Sequence, residues 1–138
     1  MSSPQSTPPT RVAIYARYSS DLQRPSSIED QVRQCTESAE RNGWVVAEKY
    51  IRSDEAKSGR TLVGRHGLEE LVRLAEQKPR PFDGIIIDDT SRFGRNLSDT
   101  LPLSDILENA NVFLYFANCD LDSRDPNFRL LFIAYQRQ

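Results

Sequence analysis

The sequence predicts a single α/β domain with a central, largely parallel sheet flanked by helices. Three observations carry that prediction. Strand-like and helix-like patterns alternate in the order β-α-β-α-β-α-β. Val12 to Ala16 and the centre of "DGIIID" are short, continuous apolar runs that read as buried strands. The chain has 138 residues, 38% hydrophobic and 28% charged, which suits one soluble domain with a sizeable core.

Each element follows from its residues. Arg11 to Tyr18 is apolar through its centre and reads as the first strand. Ser26 or Ser27 then supplies a cap, and Ile28, Val32, Cys35 and Ala39 recur at helical spacing up to Asn42-Gly43, which ends the helix. Trp44 to Ile51, rich in aromatic and β-branched residues, is the second strand. Arg52 to Gly64 is polar and reads as a mobile loop. Leu68, Leu71, Val72 and Ala75 mark a second helix, stopped by Pro79 and Pro81. "DGIIID" is a third strand, Leu97 to Ala110 a third helix despite Pro102, and "NVFLYFAN" a fourth strand. Phe128 to Tyr135 opens a last helix that runs to Gln138 without a cap, so the expectation is a longer protein cut within that helix.

Residues 1–10, MSSPQSTPPT, lack the apolar centre of a signal peptide and read as a flexible tail before a domain over 11–138. No apolar run approaches the roughly 20 residues of a membrane-spanning helix, and the expected location is the cytoplasm. A net charge of −2 argues against gripping nucleic acid through bulk charge, but permits a local arginine cluster. Cys35 and Cys119 have no metal-ligand spacing and read as reduced thiols.

The chemistry concentrates at two strand ends. Ligands of such sheets bind outside the carboxyl ends of the strands. After the first strand, Arg17 and Ser19 stand two residues apart, so in extended chain both leave by one face. After the third come Arg92 and Arg95, three apart and therefore on one face of a helical turn, while Arg65 opens the second helix. Guanidinium forks match phosphate oxygens, stay protonated, and would stabilise the charge of a pentacovalent transition state. A Ser-His-Asp triad is disfavoured, since the one histidine, His66, falls at a helix start and there is no G-x-S-x-G elbow. Two other readings stay open. Asp88 and Asp89 could hold Mg²⁺ in a metal-dependent phosphohydrolase or receiver-like domain, or the chain could be a non-catalytic assembly module.

Four segments, "YARYSS", "SSIEDQVRQC", "SGRTLVGRHGLEEL" and "SRFGRN", stand in the order and spacing of the serine recombinases. The chain resembles the catalytic domain of this resolvase/invertase family, and its large serine integrase branch in particular, from about Arg11 to Gln138. The resemblance implies that Ser19 is a nucleophile forming a 5′-phosphoserine link to DNA, with Arg17 at the scissile phosphate. It implies further active-site residues in Gln31, Ser58 of a mobile loop, Arg65, Arg92 and Arg95. It implies no cofactor or metal, DNA recombination sites as partners, and a full-length homodimer that becomes a tetramer on DNA. This fragment alone is expected to be inactive.

The chain departs from the family pattern at Ser91, where many relatives carry aspartate; Asp89 is a candidate substitute in handling the leaving-group proton. Asp88 and Asp89 stand where many relatives have a basic residue, and read as solvated, helix-capping side chains. Ser20, beside Ser19, is the competing nucleophile.

Overall fold

The computed structural model describes residues 8–18, 26–55, 65–94 and 96–136; Ser19, Ser20, Ser58 and Arg95, and most of the expected tail, lie outside them. The described elements are β1 (Arg11–Tyr18), α1 (Ile28–Arg41), β2 (Val45–Glu55), α2 (His66–Ala75), β3 (Gly84–Ile87), α3 (Thr90–Phe93), α4 (Leu97–Asn109), β4 (Phe113–Phe116), β5 (Leu121–Asp122) and α5 (Phe128–Gln136). One sheet runs in the order β2-β1-β3-β4-β5. Its first four strands pair in parallel and β5 pairs antiparallel to β4.

The alternation of side chains along β1 divides the core. Val12 and Ile14 join Ile86, Phe113 and Tyr115 against Cys35 and Ala39 of α1. Ala13 and Tyr15 face the opposite way and join Ile85, Ile87, Leu114 and Phe116. That second face is covered by α2, α4 and α5 through Leu68, Leu71, Leu107, Phe128 and Phe132, with Phe93 of α3 between them. Burial on both faces explains why β1, β3 and β4 are continuous apolar runs. Asn42 and Gly43 end α1 as expected, the glycine taking φ 75°.

Three local expectations are corrected. β2 continues to Glu55, with Arg52 to Glu55 paired alongside Tyr15 to Tyr18. Those residues are polar because their side chains have partners across the chain: Arg52 ion-pairs with Glu70 of α2 at 2.8 Å, and Asp54 accepts from Tyr15. β2 is also irregular, since Ala13 alone lies opposite residues 47–50. Finally, the one-turn helix α3 and the two-residue β5 are too short to leave a periodic signal. Among the described residues, no helix is long and apolar enough to cross a membrane.

Candidate active site

The site grows from the carboxyl end of β1. Arg17 follows Tyr15 by two residues and leaves the same face of the strand. Gln31, fully buried on α1, fixes the backbone there: its carbonyl accepts from the Arg17 N–H at 3.0 Å. Its amide donates to the Arg17 carbonyl at 2.9 Å and to the Ser26 carbonyl at 2.8 Å. The glutamine therefore holds a strand end and a helix start in register.

The end of β3 supplies the second wall. Asp89 caps α3, its carboxylate accepting from the Ser91 N–H at 3.0 Å. The Gly94 N–H donates to the Thr90 carbonyl at 3.3 Å, and side chains from three other elements supply further donors to the carbonyls of this one-turn helix. Gln136 of α5 donates to the Thr90 carbonyl at 3.1 Å. Arg17 donates to the carbonyls of Ser91, at 2.8 Å, and Arg92, at 3.2 Å. Arg65 donates to the carbonyls of Arg92 and Phe93. Arg17 and Arg65, far apart in sequence, thus meet on one peptide oxygen.

Behind Arg65 lies a network that the residue pattern alone does not reveal. Its guanidinium stands 5.4 Å from the Tyr15 ring centroid and donates to the Tyr15 hydroxyl at 3.2 Å. That hydroxyl donates to Asp54 at 2.7 Å. Asp54 also accepts from the N–H groups of Gly67, at 2.8 Å, and Leu68, at 3.2 Å. It thereby caps α2, whose own N-cap residue, Arg65, makes no side-chain cap. Burial pushes the Tyr15 phenol up, Arg65 opposing and Asp54 adding to the rise. Two glycines are required by close approach. A Cβ on Gly67 would stand 2.8 Å from the Ser53 carbonyl oxygen, and one on Gly94 would stand 2.5 Å from Cγ2 of Thr100.

Arg92 occupies a different position from the exposed clamp its motif suggests. Its side chain is 2% exposed, and a terminal nitrogen lies 3.5 Å from Asp88, itself 8% exposed. Asp88 is accordingly buried and ion-paired rather than a solvated cap, whereas Asp89 is the cap. Burial pushes the Asp88 carboxyl up; Arg92 pulls it down and Asp89 adds to the rise. α3 ends at Phe93 and Gly94 takes φ 156°, and the expected shared face of Arg92 and Arg95 lies outside the described residues. His66 is exposed, 3.9 Å from Glu69. Among the described residues, no group of three or more His, Cys, Asp or Glu side chains could hold a metal ion.

The structure therefore brings Arg17, Gln31, Arg65 and Arg92 together around α3, while Ser19, Ser58 and Arg95 lie outside the described residues. Tyr15, Asp54 and Gln136 join the site without having been singled out. A cavity of about 1040 Å³ lies at the other end of the strands, lined by Arg11, Asp83 and Val112 among others. Three of its arginines, Arg80, Arg124 and Arg129, are ion-paired, and it shares no residue with the arginine cluster.

The comparisons agree with this geometry. A model of the family described as "Resolvase, N terminal domain" matches residues 12–137. No curated protein matches the chain. Among solved structures, the N-terminal catalytic domain of TP901-1 integrase is 25% identical at a TM-score of 0.71, covering 93% of this chain and 92% of that one. A resolvase family site-specific recombinase from Streptococcus pneumoniae is 23% identical at a TM-score of 0.74, covering 91% and 84%. The C-terminal catalytic domain of ISC1926 TnpA, an IS607-like serine recombinase, is 24% identical at 0.61, covering 90% and 76%. The last two establish likeness of fold.

Proposed function

The chain belongs to the resolvase family as a serine recombinase catalytic domain, and from that premise we propose that Ser19 cuts DNA through a covalent 5′-phosphoserine intermediate. The Ser19 oxygen attacks the phosphorus of a phosphodiester. A P–O bond to serine forms, the bond to the 3′ oxygen breaks, the serine hydroxyl gives up its proton, and the leaving oxygen gains one. Religation is the reverse step with a different 3′ hydroxyl, and conserving the ester makes an external energy source unnecessary.

The observation that supports this reading is the convergence of Arg17 and Arg65 on the Arg92 carbonyl, one residue type drawn from three elements to the end of β1. Fixed guanidinium groups can stabilise the added charge of the pentacovalent phosphorus without reorganising. Gln31 positions the Arg17 backbone, and Ser58 and Arg95 are assigned to the same site. The partner is a DNA recombination site. Full-length protein is a homodimer in solution and a tetramer on paired sites, in keeping with the exposure of Leu130, 71%, and Leu131, 39%, on α5. Residues 1–138 alone do not recombine DNA.

The test uses duplexes selected by the full chain from a random-sequence pool. A denaturing gel reads the covalent adduct, and mass spectrometry locates the phosphoserine. Ser19→Ala abolishes the adduct while DNA binding persists, and Ser20→Ala retains it. An adduct that survives Ser19→Ala overturns the assignment.

A further inference from the structure

α3 is a single turn of four residues, and a turn that short is not stable by itself. Its placement depends on what holds it. The Asp89 carboxylate caps its start, and the Phe93 ring packs against Phe116 and Phe132 with centroids 6.0 and 6.1 Å away. Apolar packing is non-directional and fixes distance more than rotation. Hydrogen bonds to the α3 carbonyls are directional and fix the rotation. Arg17 and Arg65 make such bonds, but they are the groups that the site has to orient. The bond from another helix is that of Gln136, at the end of α5, which donates to the Thr90 carbonyl at 3.1 Å.

We propose that Gln136 is a positioning residue that fixes the rotation of α3 from the side of α5, and with it the direction in which Arg17 and Arg65 present their guanidinium groups. This rests on the function proposed above. Phe128, Phe132 and Gln136 recur every four residues and share one face of α5. Phe132 stacks on Phe116 of β4 with centroids 5.7 Å apart, so the helix is seated on the sheet and presents Gln136 from a fixed place. The Gln136 oxygen is buried without a hydrogen-bond partner, so the amide acts through its N–H groups alone. The Cα cylinder of a helix has a radius of about 2.3 Å, and a rotation of about 20° moves its backbone roughly 0.8 Å. Arg17 and Arg65 share the Arg92 carbonyl, so a shift of that size displaces both.

The experiment measures single-turnover adduct formation by the full chain on the selected duplexes, with DNA affinity and the unfolding midpoint in parallel. Gln136→Glu keeps the shape of the side chain but replaces its donor by a carboxylate, which repels the Thr90 carbonyl. It is expected to slow adduct formation about 10-fold or more, since misplacing a reacting group by about 1 Å can cost about 100-fold. DNA affinity stays within about 3-fold, because the loss falls on the transition state. Gln136→Lys, which brings back a donor, restores most of the rate; a merely space-filling glutamine would leave the two variants alike. A Gln136→Glu rate within about 3-fold of wild type, or a Gln136→Lys rate no faster than that of Gln136→Glu, overturns the proposal.

A second measurement is independent of activity. The Arg17 Nε–H donates to the Arg92 carbonyl at 3.2 Å, so its resonance reports where α3 stands. In Gln136→Glu this resonance should shift and exchange faster with solvent, and in Gln136→Lys it should return towards its wild-type position. An unchanged resonance in Gln136→Glu overturns the coupling. A wild-type protein that forms no adduct while the resonance responds refutes the function proposed above and leaves Gln136 as the residue that positions α3.

Discussion

Asp54 is the hinge between core and site, and its removal is the sharpest test of the network behind Arg65. Asp54→Ala deletes the acceptor for the Gly67 and Leu68 N–H groups and for the Tyr15 hydroxyl. Losing a helix cap costs about 1 kcal/mol, and a hydrogen bond to a charged acceptor contributes about 1.5–3 kcal/mol. Tyr15 is fully buried, so its hydroxyl finds no replacement in solvent. The sum is about 3 kcal/mol. For 138 residues the unfolding entropy is roughly 0.3 kcal/mol/K, so the midpoint should fall by about 10 °C. Asp54→Asn keeps an oxygen for the helix and should lose about half as much. Tyr15→Phe should cost about 2 kcal/mol alone and nearly nothing in the Asp54→Ala background. Thermal and urea unfolding followed by circular dichroism measure the four variants beside the wild type. A midpoint within 2 °C or so of wild type for Asp54→Ala would refute the reasoning, because it would mean that α2 begins equally well without the carboxylate.

Other consequences are as direct. Gly94→Ala drives a Cβ towards the buried Thr100 methyl and should cost about 1–3 kcal/mol; Thr100→Ser should return part of it, and equal losses with and without that change would count against the contact. Adduct formation should continue in excess EDTA, and loss of cleavage restored by Mg²⁺ would favour a metal role for Asp88 and Asp89. Burial raises Cys35, with Asp88 adding to the rise, so it stays neutral in the fold after the unfolded chain ionises. The folded state then holds more protons, and stability should decline as pH rises past about 8.5 and more steeply past about 10, where Tyr15 adds its share. Cys35→Ala should lessen the decline by up to about 1.4 kcal/mol per pH unit, read by urea unfolding; an unchanged slope would exclude Cys35 as its source.

The strands that were legible in the sequence are those buried on both faces: runs such as Ile85-Ile86-Ile87 admit little else. The end of β2 was not, because Arg52 and Asp54 look like loop residues until Glu70 and Tyr15 are placed beside them. Helical period identified α1 and α2, but a single turn such as α3 has no period to detect. The arginines were legible by type and motif, since few side chains suit a phosphate as well. Their meeting on the carbonyls of α3 was not, for backbone acceptors carry no residue identity. Tyr15 sits in an apolar run and belongs to the core; its hydroxyl reveals its second part only beside Asp54 and Arg65.

The irregularity of β2 has a consequence for how copies of this domain meet. A sheet with an exposed, regular outer strand offers its unpaired N–H and C=O groups to any passing chain, which invites aggregation. Here one border strand is interrupted at residues 47–50, where Glu48 and Lys49 project into solvent. The other border, β5, is a two-residue stub. An incoming strand would find a broken ladder on one side and almost none on the other. A sheet bordered in this way resists joining edge to edge with another sheet even at high concentration.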